Sequence, residues 1–186
     1  MIAICIGHSR KINGRYDGGA YSPTLKINER DFNLKVASEL RDVLDLNGIK
    51  SVILNDYKGN GYGSAMADIA RQVKEAKASL AIELHFNSAS PEATGHEWLY
   101  WHTSLIGGRI AKKFDSEFSK EFPTIKSRGV KAITKKDRGG KFLELTHCPA
   151  LILEPFFGSS VLDCSRINVK GIAEAYAKAI KQCINV

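Results

Sequence analysis

Ile2-Ala-Ile-Cys-Ile6, followed at once by Gly7 and His8, is an unbroken apolar run that stops on a glycine and an ionisable side chain. Three further runs have the same character: Ser51–Leu54, Leu80–Leu84 and Ala150–Leu153. Continuous apolar segments of this length, rich in Ile, Leu and Ala, are expected of strands buried on both faces. Trp98–Trp101 and Phe142–Leu145 read as additional strands, the second with Glu144 between apolar neighbours. Between the runs lie amphipathic stretches of helical period. Asp31–Asn47 sets Val36, Ala37, Leu40, Val43 and Leu44 on one face and is closed by Gly48. Ala65–Ala76, Leu105–Phe122 and Arg166–Cys183 repeat the pattern. Strand and helix alternate from end to end, which predicts an α/β fold: one domain spanning 1–186, a mostly parallel twisted sheet flanked by helices on both faces.

The composition excludes several classes. At 44% hydrophobic and 25% charged residues, the chain of 186 is neither disordered nor fibrous. No apolar run approaches the ~20 residues of a membrane span, and the start lacks the basic flank and cleavage site of a signal peptide. The expectation is synthesis as a cytoplasmic protein without a membrane span. Cys5, Cys148, Cys164 and Cys183 form no Cys-x-x-Cys pair and read as reduced thiols. The net charge of +7 is local, because Arg109 to Lys141 holds eleven basic and four acidic residues while the rest of the chain is balanced. Such a stretch is either a solvated surface or a face that attracts polyanions. No zinc-finger or RNA-binding motif accompanies it, so nucleic acid is not expected as a partner.

In a parallel α/β sheet, ligands bind beyond the carboxyl ends of the strands. His8, His85 and Glu154 stand at such ends, and Glu29 lies where the first long loop enters a helix, with Asn28 as its cap. Two imidazoles and two carboxylates suit a zinc site with His₂Glu ligation and a free carboxylate for proton transfer. Each residue also has an ordinary structural alternative. A strand-end histidine can be a satisfied buried group, Glu29 can favour the positive end of its helix, and Glu154 can form an ion pair.

The segments Ile6-Gly-His8-Ser, Asn28-Glu29, Ile82-Glu-Leu-His85-Phe-Asn87 and Pro149-Ala-Leu-Ile-Leu-Glu154-Pro-Phe-Phe157 occur in order along nearly the whole chain. Together they resemble the zinc-dependent N-acetylmuramoyl-L-alanine amidases shared by bacterial cell-wall amidases and phage endolysins. The resemblance implies Zn²⁺ as cofactor, His8, Glu29 and His85 as its ligands, and Glu154 as the catalytic glutamate. It further implies that Asn87 supports the site and that Arg128, in Arg128-Gly129-Val130, shapes the substrate side. The implied reaction is hydrolysis of the amide between N-acetylmuramic acid and L-alanine in peptidoglycan. On that reading the chain is a monomeric catalytic domain without a separate wall-binding domain, acting after release or lysis. The basic 109–141 stretch would then hold anionic wall polymers. Three departures stand out: Cys-Ile-Gly-His-Ser where the family commonly has Asp-Pro-Gly-His-Gly, His96 where a small or apolar residue is usual, and Pro155 after Glu154.

Two rival functions share this outline, an inactive wall-binding or regulatory module of the same fold and a zinc peptidase acting on free peptides. His96, His102 and His147 are alternative ligands. His147-Cys148 admits a nucleophile reading, but nothing in the sequence orients the pair. Gly59-Asn-Gly61-Tyr-Gly63 lacks the spacing of a phosphate loop and reads as a turn entering a helix. Glu83 and Glu144 fall inside predicted strands, where each is expected to meet a cation or contribute to a groove.

Overall fold

The computed structural model describes residues 1–184. Strand β1 (Ile2–Ile6) leads into two small hairpins, β2 (Lys11–Ile12) with β3 (Arg15–Tyr16) and β4 (Tyr21–Ser22) with β5 (Ile27–Asn28). Then follow α1 (Glu29–Leu46), β6 (Ser51–Leu54), α2 (Tyr62–Glu75), β7 (Leu80–Leu84), β8 (His96–Trp101) and α3 (Leu105–Glu121). The chain continues through β9 (Ser127–Ile133), α4 (Gly140–Leu145), β10 (Ala150–Glu154), α5 (Val161–Cys164) and α6 (Val169–Ile184). The main sheet has the order β6-β1-β7-β10-β8-β9. Every neighbouring pair is parallel except β10 with β8. The expected mostly parallel α/β sheet is therefore present.

Side-chain alternation divides the sheet into two unequal layers. Ile2, Ile4 and Ile6, Leu80, Ile82 and Leu84, and Leu151 and Leu153 face α1, α3 and α6 in the larger core. Ala3, Cys5, Ala81 and Ile152 face the other way, against α2 and α4. The second cover is thin, because α4 has only six residues. It leaves the carboxyl ends of β7 and β10 uncovered on that face.

The order also fixes where those ends open. From β1 the chain moves outward through α1 to β6, then crosses back through α2 to β7 on the far side of β1. The junction of β1 and β7 is thus a topological switch point, where connections diverge and a crevice forms. His8 and His85 emerge on either side of it.

Local signals explain the helix ends. Gly48 adopts φ +70° directly after Asn47, and its amide donates to the Asp45 carbonyl, closing α1 as expected for a glycine at that position. Asn28 occupies the N-cap position of α1 in extended conformation, but its side chain makes no capping bond. Gly61 caps α2, so the glycine-rich turn is a helix entry as read.

One predicted strand is a helix. Phe142–Leu145 lies within α4, with Phe142 and Leu143 both buried and Leu145 exposed. Two adjacent buried residues suit a helical turn seated on a sheet, whereas a run of four residues is too short to distinguish the periods. Glu144 there pairs with Lys141 at 2.8 Å. The remaining strand is β9, whose polar sequence Ser-Arg-Gly-Val-Lys-Ala-Ile reflects an edge position beside β8. All four cysteines are free thiols. Among the described residues no helix is long and apolar enough to cross a membrane.

The larger core is centred on Trp98, which is fully buried against Phe114, Phe118 and Tyr176. Its indole N–H donates to Asp115 at 3.1 Å. Truncation at this site removes a large apolar volume and a satisfied donor together. Trp98→Ala is expected to lower stability by about 3–5 kcal/mol, read as a shift in the urea unfolding midpoint.

Candidate metal centre and active site

Three predicted ligands meet at the switch point. His8, Glu29 and His85 each offer one ligand atom, and these lie within 4.8 Å of one another. His8 Nε2 is 3.4 Å from Glu29 Oε2, and His85 Nδ1 is 2.9 Å from Glu29 Oε1. Nitrogen and oxygen ligands about 2.0–2.1 Å from a tetrahedral zinc stand about 3.3 Å apart, so the spacing suits that ion. So does the donor set of two imidazoles and one carboxylate. The histidine rings approach edge to face, with centroids 5.2 Å apart.

Close backbone approach makes this convergence possible. A Cβ at Gly7 would fall 2.3 Å from the His85 ring, and one at Gly19 would fall 2.6 Å from Glu29 Oε2 and 2.7 Å from the His8 ring. Gly19 also holds φ +71°, and His8 itself lies at φ +58°. The Gly7-His8 and Gly18-Gly19 segments are therefore shaped around the three side chains. His8 is steadied from outside by Asp17 at 3.3 Å, on the loop after β3.

Glu29 is the most enclosed member, only 3% exposed. It opens α1, where the helix dipole favours negative charge. Its Oε2 accepts the Ala20 amide at 3.0 Å and its Oε1 the Phe86 amide at 3.2 Å. Burial pushes its pKa up, but the His85 hydrogen bond and the fields of both histidines outweigh that and hold it below its ordinary value. Burial opposes protonation of His85, yet Glu83 and Glu29 flank the ring and raise its pKa well above normal.

Glu154 ends β10 on the thinly covered face and lines the same cavity, about 410 Å³ in volume. Tyr57, Tyr62, Met66, Lys131 and Arg138 form further parts of the wall. Glu154 Oε2 is buried without a hydrogen-bond partner among the described residues. Burial, reinforced by the fields of Glu29 and Glu97 and opposed by His85, pushes its pKa up to about 8. A carboxylic acid with that proton affinity in a cleft can take up and release a proton near neutral pH.

The other two predicted site residues are placed differently. Asn87 follows β7 and its side-chain amide nitrogen is buried without a hydrogen bond of good geometry, close to Glu97. Its backbone ties the loop after β7 to the loop after β10, through the Phe156 carbonyl and the Gly158 amide. Arg128 is not on the cavity wall. Its Nε donates to Glu97 at 2.8 Å and its guanidinium lies 5.1 Å from the Phe157 ring centre. Lys131 holds the same Glu97 carboxylate. Burial raises the pKa of Glu97, but Lys131 and Arg128 bring it below the ordinary value.

None of the alternative ligands joins the cluster. His96 is fully buried on the α3 side, 3.2 Å from Asp115, and burial lowers its pKa. His102 and His147 are exposed at the opposite end of the sheet, one after β8 and one before β10. Cys148 stands there too, and burial raises its thiol pKa, which disfavours the thiolate that a nucleophile needs. The sequence leaves the partner of Glu83 open and gives no signal for Glu97. Glu83 shares a strand face with His85 by the two-residue spacing, and that period was a usable signal. The pairing of Glu97 with Lys131 depends on β8 and β9 lying side by side, and β9 carries no strand pattern.

An open α/β sheet with a His/Glu/His donor set and a high-affinity carboxylate at its switch point has the equipment of a hydrolytic enzyme. The chain belongs to the Amidase_3 family, described as N-acetylmuramoyl-L-alanine amidase, whose sequence model matches residues 2–186. No curated protein sequence matches it significantly. Among solved structures it is similar to an N-acetylmuramoyl-L-alanine amidase from Clostridium difficile 630, with a TM-score of 0.81 and 21% identity over 99% of this chain and 96% of that one. It is also similar to the catalytic domain of the CD27L endolysin targeting Clostridia difficile, with a TM-score of 0.79 and 22% identity over 97% and 96% of the two chains. The catalytic domain of the CwlV amidase from Bacillus (Paenibacillus) polymyxa var. colistinus gives a TM-score of 0.79 at 19% identity over 100% and 98%. At such identities the likeness to these structures is one of fold.

The high pKa of Glu154 has a consequence for protein stripped of divalent ions. Between its ordinary value of 4.5 and about 8, the folded state keeps a proton that the unfolded chain has lost. Stability must therefore fall as pH rises through that window. Glu154→Gln removes this contribution, so the variant is expected to match wild type near pH 5 and exceed it near pH 8 by about 3 kcal/mol. Urea unfolding of both proteins in chelator across this range measures the difference.

Proposed function

We propose that the protein is a zinc-dependent peptidoglycan amidase that cleaves the bond between the lactyl group of N-acetylmuramic acid and L-alanine. The carrying observation is the gathering of His8, Glu29 and His85 within 4.8 Å, in a cavity shared with a buried Glu154 oxygen that has no hydrogen-bond partner among the described residues. His8, Glu29 and His85 would hold the ion. When bound, zinc supplies Lewis-acid polarisation of the scissile carbonyl and makes water a better nucleophile.

The chain's own residues manage the proton. Glu154 accepts a proton from the attacking water as the carbon–oxygen bond forms. It then donates that proton to the departing L-alanine nitrogen as the carbon–nitrogen bond breaks. The products are a lactyl carboxylic acid and a free amine. Asn87 and Asp163 support the rim, since the Asp163 carboxylate accepts the Gly95 and Phe157 amides at 2.9 and 3.0 Å and joins the two loops that border it.

The basic 109–141 segment supports contact with anionic wall polymers in part. Arg128, Lys131, Lys120 and Lys141 are paired with acidic side chains. Lys135, Lys136 and Arg138 are exposed on the turn that borders the cavity and have no ion pair among the described residues. They are the cations proposed to meet the wall.

Glu154→Gln is expected to lower turnover on purified peptidoglycan by about 10²–10⁴-fold while retaining zinc. His85→Ala is expected to lose both metal and activity. Metal analysis with mass spectrometry of the digest tests this, and products lacking a freed lactyl sugar would overturn the assignment. Binding of the Glu154→Gln protein to wall is expected to weaken as salt rises. Replacing Lys135 and Lys136 by alanine should flatten that dependence in a co-sedimentation assay.

A further inference from the structure

His85 carries a carboxylate at each ring nitrogen. Nδ1 is 2.9 Å from Glu29 Oε1, toward His8, and Nε2 is 3.2 Å from Glu83 Oε2, toward the sheet. Glu83 sits in β7, two residues before His85 on the same strand face, and is only 3% exposed. Its register neighbours are Cys5 on β1 and Ile152 on β10. An acid buried among such neighbours is costly unless something compensates it. Among the described residues, the only ion pair of Glu83 is with His85.

A neutral imidazole has one bare nitrogen and one N–H. The nitrogen facing the Glu29 and His8 donors must be bare to bind a cation, which leaves the proton on the nitrogen facing Glu83. A carboxylate in that place fixes the tautomer and turn of a metal-binding histidine and raises its basicity. We propose that Glu83 is the positioning residue of the centre: it holds the Nε2–H of His85 so that Nδ1 is presented to the metal. The proposal rests on the zinc reading of the site. It also accounts for an acid in a central strand whose other residues, Leu80, Ala81, Ile82 and Leu84, are all apolar.

Zinc affinity, measured on the full chain by chelator competition, is the test for wild type, Glu83→Gln, Glu83→Ala and His85→Ala. Glu83→Ala is expected to weaken binding by about 10–100-fold. Glu83→Gln keeps an acceptor for the Nε2–H and is expected to lose less than Glu83→Ala. His85→Ala should lose the most. In zinc-loaded wild type with ¹⁵N-labelled histidine, NMR should find the His85 proton on Nε2 and none on Nδ1, a readout that needs no variant. Affinity of Glu83→Ala within twofold of wild type, or a proton on Nδ1, would overturn the proposal. Loss of zinc from Glu83→Gln as complete as from His85→Ala would make Glu83 a ligand and overturn it too. Wild-type protein that binds no zinc would instead remove the underlying metal reading, and this inference with it.

Discussion

The Glu29 carboxylate is buried and nonetheless held ionised, and the geometry of the strand ends depends on how that is achieved. An isolated carboxylate in such a place would take up a proton. Here two backbone amides donate to it, from Ala20 and from Phe86, and two imidazoles flank it. The four partners come from three segments: Ala20 from the loop between β3 and β4, His85 and Phe86 from the end of β7, and His8 from the turn after β1. One charged group thus fixes the relative positions of three chain segments. Glycine is needed at Gly7 and Gly19 because the segments cannot approach so closely around it with side chains of their own.

The sheet prepares the place for that convergence. Because β1, β7 and β10 are parallel neighbours, their carboxyl ends open at one rim. β8 runs against β10, so its first residues, including Glu97, arrive at the same rim. Reversal of one strand adds an acidic side chain that an all-parallel arrangement would have sent to the opposite end. The unequal covering layers then decide which side of the rim is open. Three long helices fill one face, while α2 and the short α4 leave a cleft on the other.

What the sequence made legible follows from how local each signal is. His8, His85 and Glu154 are readable as strand-end residues because the runs before them are continuous and apolar, and Gly48 marks the end of α1 without tertiary help. Glu29 was legible as a helix entry, but the fold itself supplies its contact with both histidines. Phe142–Leu145 fits either period because four residues are too few to distinguish them, and packing against α2 settles the matter. β9 was invisible because its strand character lies in pairing with β8 at the sheet edge, not in any apolar pattern of its own. Arg128 was found by motif, but its partner Glu97 could be named only once those two strands stood side by side. His96 shows the limit from the other side: a histidine in a departure from the family pattern turns out to be anchored to Asp115, remote from the cluster.

Glu83, Glu154 and Glu97 all stand on the open face of the sheet, on three adjacent strands, and their environments separate them. Glu83 faces an imidazole and Glu97 faces a lysine and an arginine, so each has a cation beside it. Glu154 lies between them in the sheet with no ion pair among the described residues, one oxygen unpartnered, and acidic neighbours that add to the effect of burial. Glu97 and Glu154, chemically identical groups, are thereby given different proton affinities, one lowered by its cations and the other raised by burial. Carboxyls whose surroundings drive their pKa values apart are the ones among which acid and base roles divide. The cations at Lys131 and Arg128 therefore act on Glu154 at one remove. By engaging Glu97 they leave Glu154 as the member of the row free to exchange a proton, the role proposed for it.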